Sequence, residues 1–76
     1  MEEKKLEIKI YPVVSSNIAF AGYDKDSETL DIIFKNGTKY RYEDVPEAIY
    51  KRIFSSDSPG KFVRDVIAKS YPFKKI

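Results

Sequence analysis

Apolar and polar positions alternate in short runs through the first half of the chain and then switch to a helical repeat. Leu6, Ile8 and Ile10 alternate with Glu7, Lys9 and Tyr11, which is a strand pattern. Pro12 ends that strand or places it at a sheet edge. Ile18-Ala19-Phe20-Ala21-Gly22-Tyr23 is the next strand-like stretch, and the polar residues 24–28 form a turn after it. Strict alternation puts Ala19, Ala21 and Tyr23 on one face and Ile18, Phe20 and Gly22 on the other. The Tyr23 side is expected to face inward, because small alanines let a helix pack close.

The organising element is the hairpin over residues 30–42, in which two alternating runs flank Asn36-Gly37. A two-residue loop would pair Ile33 with Tyr40 and leave Leu30, Ile32 and Phe34 on one face with Lys39 and Arg41. A three-residue loop, Lys35-Asn36-Gly37, puts Gly37 in the left-handed region with a bulge. It pairs Ile32 with Tyr40 and Leu30 with Tyr42. A one-residue slip turns every side chain over, so burial of one face selects the register. The three-residue loop gathers all the apolar residues and both tyrosines on one face and is the expected one. Tyr40 and Tyr42 are then buried against the helices, near Ile49, Ile53, Phe62 and Val66. Arg41 is exposed, and Gly37 has positive φ.

Asp44-Val45-Pro46-Glu47 reads as a helix start, with an Asp cap, Pro in the first turn and Glu three residues after the cap. Val45, Ile49 and Ile53 then recur every four residues. Ser58-Pro59 opens a second helix, with rows Phe62, Val66, Ser70 and Val63, Ile67, Tyr71 forming an apolar face. Pro72 stops it. The expected fold is α+β: a small antiparallel sheet of three core strands plus an N-terminal strand, covered on one face by two helices. Residues 1–13 are read as an extension, and residues 14–76 as a β-β-β-α-α domain.

The chain has 76 residues, 14 Lys and Arg against 12 Asp and Glu, and a net charge of +2. That charge is too mild to imply nucleic acid by itself. With no cysteine there is neither disulfide nor thiolate metal site. Histidine is absent too, so the commonest catalytic bases and nucleophiles are missing and no enzyme is expected. Six Tyr and five Phe supply much of the apolar bulk. No long apolar run follows Met1-Glu2-Glu3-Lys4-Lys5, so neither signal peptide nor membrane span is expected, and the default is a cytoplasmic protein.

Several short motifs occur in a telling order: Val14-Ser15-Ser16-Asn17-Ile18, Gly22-Tyr23-Asp24, Leu30-x-Ile32-x-Phe34-x-x-Gly37, Tyr40-x-Tyr42 and Val45-Pro46. Tyr50, Ser58-x-Gly60-x-Phe62 and Tyr71 follow. Over residues 13–71 this set resembles the KTSC domain, named for the C-terminus of some lysyl-tRNA synthetases. The resemblance implies a small domain for which RNA binding has been suggested, with Tyr23, Tyr40, Tyr42 and Phe62 as family-motif residues. The register places Tyr40 and Tyr42 in the core, and the alternative is that they are stacking platforms for single-stranded RNA. The chain departs from the family at Phe20, where smaller or more polar residues are usual. Residues 6–11 lie outside the family's domain.

The candidate sites follow from these faces. Phe20, Lys35, Lys39 and Arg41 are expected on the outer sheet face, where stacking and guanidinium contacts suit RNA. Lys61 and Arg64 add charge from the second helix. Ser58, Gly60 and Lys61 sit at that helix's N-terminus and would suit an anion; simple capping by Ser58 is the plainer account. Ser15-Ser16-Asn17 is read as a hydrogen-bonded turn. Asp24, Asp26, Glu28 and Asp31 lack the spacing of a calcium loop, so no metal or cofactor is expected. The leading function is a non-enzymatic RNA-binding domain. The alternative is a protein-interaction module, dimerising through the N-terminal strand, Phe20 and Ile33.

Overall fold

A computed structural model describes residues 8–76. Five strands form one antiparallel sheet in sequential order: β1 (Ile10–Pro12), β2 (Ile18–Asp24), β3 (Thr29–Phe34), β4 (Lys39–Tyr42) and β5 (Phe73–Lys75). Between β4 and β5 come α1 (Glu47–Ser55) and a second helix, α2. The latter is α-helical over Pro59–Phe62, π-helical over Val63–Ile67 and α-helical again over Ala68–Ser70. This is the expected α+β arrangement with one further strand.

The hairpin takes the three-residue loop. Leu30 pairs with Tyr42 and Ile32 with Tyr40. The Phe34 N–H donates to the Thr38 carbonyl at 2.8 Å, and Gly37 has φ 94°, which its missing Cβ permits. The Asn36 side-chain oxygen accepts the Thr38 N–H at 2.9 Å and fixes the turn. The inner face therefore carries Leu30, Ile32 and Tyr42 into a core completed by Val45, Ile53, Val63 and Ile67. Ile49 and Phe62 pack at its margin. From α2 the deeply buried row is Val63 and Ile67, not Phe62 and Val66.

Four expectations are corrected. Strict alternation fails in β2, because the register shifts between Ile18 and Phe20, so Ile18 pairs with Phe34 and Phe20 with Ile33. The bulge at Ala19 turns Ile18 onto the inner face, where it is fully buried. Asp44 does not cap a helix. It sits at φ 60°, and α1 starts at Glu47 with no side-chain cap. Val45 precedes the helix, and its N–H donates to the Glu28 carbonyl at 2.9 Å. Ser58 stands at the N-cap of α2 but makes no side-chain capping bond. Finally, Pro72 ends the helix, but the chain turns back and β5 pairs with β4, Phe73 opposite Tyr42 and Lys75 opposite Tyr40.

The strand expected over residues 6–11 lies partly outside the described residues. Its described part pairs with β2 from Ile10 to Pro12, along the sheet edge where proline costs no ladder bond. The chain just before β1 presses on Gly22. A Cβ there would come within 2.6 Å of the Lys9 carbonyl oxygen and 2.7 Å of Ile8 Cγ2. Only glycine admits that approach.

Candidate functional site

The outer face does not present Arg41 as a free cation. Arg41 Nε donates to Asp31 Oδ1 at 2.8 Å and its Nη2 to Asp31 Oδ2 at 2.9 Å, a two-pronged pair. The residues are cross-strand partners, and Asp31 is buried, so the expectation of an exposed Arg41 is corrected. The bond to the Asp31 carboxylate raises the Arg41 pKa further above its usual value, despite an opposing effect of burial. A guanidinium so engaged serves the sheet. Lys39 is exposed on the same face, with Ile33 partly covered and Phe20 well exposed. These residues lie on the opposite side of the sheet from Lys35, Lys61 and Arg64, so the expected RNA-binding set splits into two groups.

The second group borders a cleft. Where the inner face meets α2, a cavity of about 550 Å³ opens between Phe34, Tyr40, Tyr42 and Phe73 on one side and Gly60, Val63, Arg64 and Ala68 on the other. Ser16, Asn17, Lys35 and Asn36 complete its lining. Tyr42 is the buried floor, and its phenol pKa is raised by that burial. Tyr40, expected to be mostly buried, packs against the core but keeps part of its surface open, because it lines the cleft. Phe34 meets Tyr40 edge-on, with centroids 5.8 Å apart and an 82° angle between planes. Phe73 does the same at 5.6 Å and 88°.

Local structure explains how these groups converge. Ser15 Oγ accepts the N–H groups of Asn17 and Ile18, both at 3.1 Å, which makes the expected turn. The Lys35 N–H donates to the Asn17 carbonyl at 2.8 Å, tying that turn to the hairpin loop. Gly60 then lets α2 approach: a Cβ there would lie 3.3 Å from Asn17 Nδ2. Along α2, the Ala68 N–H donates to the Val63 carbonyl five residues back. This wide turn stacks Val63 and Ala68 on the cleft wall. Such π segments within helices concentrate at functional sites.

Two cations, Lys35 and Arg64, line the cleft, and among the described residues no carboxylate does. Arg64 pairs with its neighbour Asp65 at 3.2 Å, but that pair lies in water and holds it weakly. A second hollow of about 490 Å³ continues past Ser16, Asn17 and Gly60 to Ser58 and Lys61. Asp57 shares this hollow, which weakens its appeal to an anion. Two of the four acidic residues considered for a cation, Asp24 and Asp31, are otherwise occupied. Asp24 Oδ2 accepts the Ser27 N–H and hydroxyl, and Asp31 holds Arg41.

Phe34, Phe73, Asn36 and Ala68 were not among the expected site residues. Phe34 was legible once the register was chosen, since it shares the inner face with Tyr40. Phe73 was not, because nothing in Pro72-Phe73-Lys74-Lys75 alternates as a buried strand does. Among the described residues, no helix is long and apolar enough to cross a membrane.

Comparison with known proteins gives a consistent result. The family model of the KTSC domain matches residues 14–71. A protein of Tsukamurella paurometabola is 36% identical over 56 residues, covering 74% of this chain and 84% of its own. An uncharacterised protein of Stutzerimonas stutzeri is 35% identical over 52 residues, 68% of this chain and 73% of its own. The crystal structure of a KTSC domain protein from Yersinia pestis superposes with a TM-score of 0.83 at 37% identity, covering 92% of this chain and 99% of that one.

Proposed function

We propose that this chain, which belongs to the KTSC domain family, is a non-enzymatic domain that binds single-stranded RNA through the cleft between the sheet and α2. The observation that carries this reading is the cleft's composition. Aromatic rings form its walls, Lys35 and Arg64 stand at its rim, and its lining among the described residues holds no carboxylate. Unpaired bases offer π faces to such rings, while their phosphates seek the cations. A duplex keeps its bases stacked and offers nothing to enter a concave aromatic site. The absence of histidine and cysteine from the sequence supports a binding role over a catalytic one.

The phosphate ligands in this reading are Lys35 and Arg64, with Lys61 alongside, and not Arg41. Fluorescence anisotropy of a labelled single-stranded RNA at low salt tests it. Affinity is expected to fall steeply as salt rises, because phosphate contacts release counterions. Arg64→Glu is expected to weaken binding, and Lys39→Glu on the opposite face to leave it nearly unchanged. Absence of binding at low salt, or a larger loss with Lys39→Glu, overturns the reading.

A further inference from the structure

The shape of the cleft narrows what part of a strand it takes. β4 lies between β3 and β5, so Phe34 and Phe73 flank Tyr40 from opposite sides. Each stands nearly perpendicular to it, at 82° and 88°. A surface that binds a run of stacked bases offers its rings as parallel platforms along the strand. Here Phe34 and Phe73 stand upright on either side of Tyr40, above the buried Tyr42, so the rings make a box and not a row of parallel platforms. A box of about 550 Å³ is in the size range of small-ligand pockets.

The polar groups add direction. Lys35 and Arg64 supply positive charge at the mouth, on the hairpin loop and on α2. Asn36 also lines the box; its side-chain oxygen is already held by the Thr38 N–H, which leaves its amide N–H₂ as a donor. A flat ring with carbonyl or ring-nitrogen acceptors on its edge, joined to a phosphate, satisfies all three features at once.

We infer that the cleft holds one nucleotide: a single unstacked base against Tyr40, between Phe34 and Phe73, with its phosphate at Arg64 and Lys35. This rests on the RNA-binding reading for the source of the nucleotide, but the chemistry is shared by a free nucleoside monophosphate. The site is thus a one-base pocket, and the rest of a bound strand lies outside it.

The test uses the whole chain and four probes: uridine and adenosine 5′-monophosphates, ribose 5-phosphate, and a labelled single-stranded RNA. Calorimetry or chemical-shift titration is expected to show weak saturable binding of at least one mononucleotide, and little of ribose 5-phosphate at the same concentration. That mononucleotide is expected to displace the labelled RNA. Phe73→Ala should weaken mononucleotide binding at least about fivefold, the lower end of one base–aromatic contact. Arg64→Gln, an exposed change that leaves the core alone, should weaken it too, and Phe20→Ala should not.

RNA binding that no mononucleotide displaces overturns the one-base pocket and leaves the RNA reading standing. Mononucleotide affinity unchanged by both Phe73→Ala and Arg64→Gln does the same. Mononucleotide binding without RNA binding upholds the pocket, with a free nucleotide as its ligand, and overturns the RNA reading. If neither class of probe binds, both fall.

Discussion

The inner face of the sheet has an aromatic group at each end, and the two are built in opposite ways. At the closed end Tyr23 and Tyr50 stack face to face, 5.1 Å apart and 13° from parallel. Phe54 meets Tyr50 edge-on at 5.3 Å, and the Tyr23 hydroxyl donates to the Val45 carbonyl. Burial raises the phenol pKa of both tyrosines, with nearby acidic residues adding to it at Tyr23 and Tyr11 adding to it at Tyr50. At the open end Phe34 and Phe73 stand upright beside Tyr40 and leave a cleft. The closed group spends the stacked faces of Tyr23 and Tyr50 and the Tyr23 hydroxyl within the protein. The open group keeps ring surface available. Aromatic content on a sheet face therefore marks no site by itself; whether the rings already satisfy one another does.

The floor shared by the core and the cleft gives the largest expected effect. Tyr42 is buried and packs on Phe73 at 5.1 Å. Tyr42→Ala is expected to cost about 3–5 kcal/mol, as removal of a large core aromatic does. A domain this small has roughly 5 kcal/mol in all, so the variant should be largely unfolded in a urea melt. A stably folded Tyr42→Ala would mean that the open end tolerates collapse and that its cleft is no rigid feature.

The same distinction between engaged and available groups applies to charge. Arg41→Ala strands the buried Asp31 carboxylate, and breaking a fully buried pair costs about 3–5 kcal/mol. The Arg41 side chain keeps 25% of its surface exposed, so about 2 kcal/mol is the expected loss after allowing for solvent. Arg64→Ala should change stability by under about 0.5 kcal/mol, as exposed changes do. Equal losses in paired urea melts would remove the division between structural and available cations.

How far the sequence reveals all this varies by feature. The hairpin register was legible, because only one pairing gathers Leu30, Ile32 and Phe34 with both tyrosines, and glycine was placed where positive φ is needed. That register also put Asp31 directly opposite Arg41. The ion pair was overlooked because the outer face was taken as solvated. It is not bare there, since residues 8–10 press on Gly22, the cross-strand neighbour of Asp31. The bulge at Ala19 was hidden for a different reason: one extra residue leaves composition unchanged and shows only in the pairing. β5 was hidden because it is short and two of its three residues are lysine. Its partner strand defines it more than its own pattern does. The cleft needed β5, which brings Phe73, and the π turn, which brings Val63 and Ala68, so its walls could not be assembled from the sequence.

Removing one oxygen probes the closed end next. Tyr23→Phe leaves the Val45 carbonyl without its donor and should cost about 1 kcal/mol, a typical net hydrogen bond. Tyr40→Phe should cost less than half of that, since its hydroxyl has no hydrogen-bond partner among the described residues. Alkaline pH probes the same tyrosines together. Folding raises the pKa of Tyr23, Tyr42 and Tyr50 above the ordinary value of 10.0. Above about pH 10 the unfolded chain has lost these protons while the folded one keeps them, so stability is full below that pH and declines as pH rises. Melts across this range, beside an ultraviolet titration of the phenols, should show the decline shrinking in Tyr42→Phe.

The smallest effect makes the finest comparison. Phe54 and Phe73 are nearly equally exposed, at 45% and 47%, and each touches tyrosine rings. One belongs to the closed group and the other to the open one. Full burial of such a side chain contributes about 1.5–3 kcal/mol, so each half-exposed ring should contribute about 1. Phe54→Ala and Phe73→Ala are thus expected to lower stability by similar amounts, within about 0.5 kcal/mol of each other, the ordinary scatter for surface changes. Their difference should appear only in ligand binding, where Phe73→Ala removes a wall of the cleft and Phe54→Ala removes nothing. If Phe73→Ala instead destabilises nearly as much as Tyr42→Ala, β5 is held by that ring alone. The open end would then be packing that happens to face solvent, and its likeness to the closed end would outweigh the contrast.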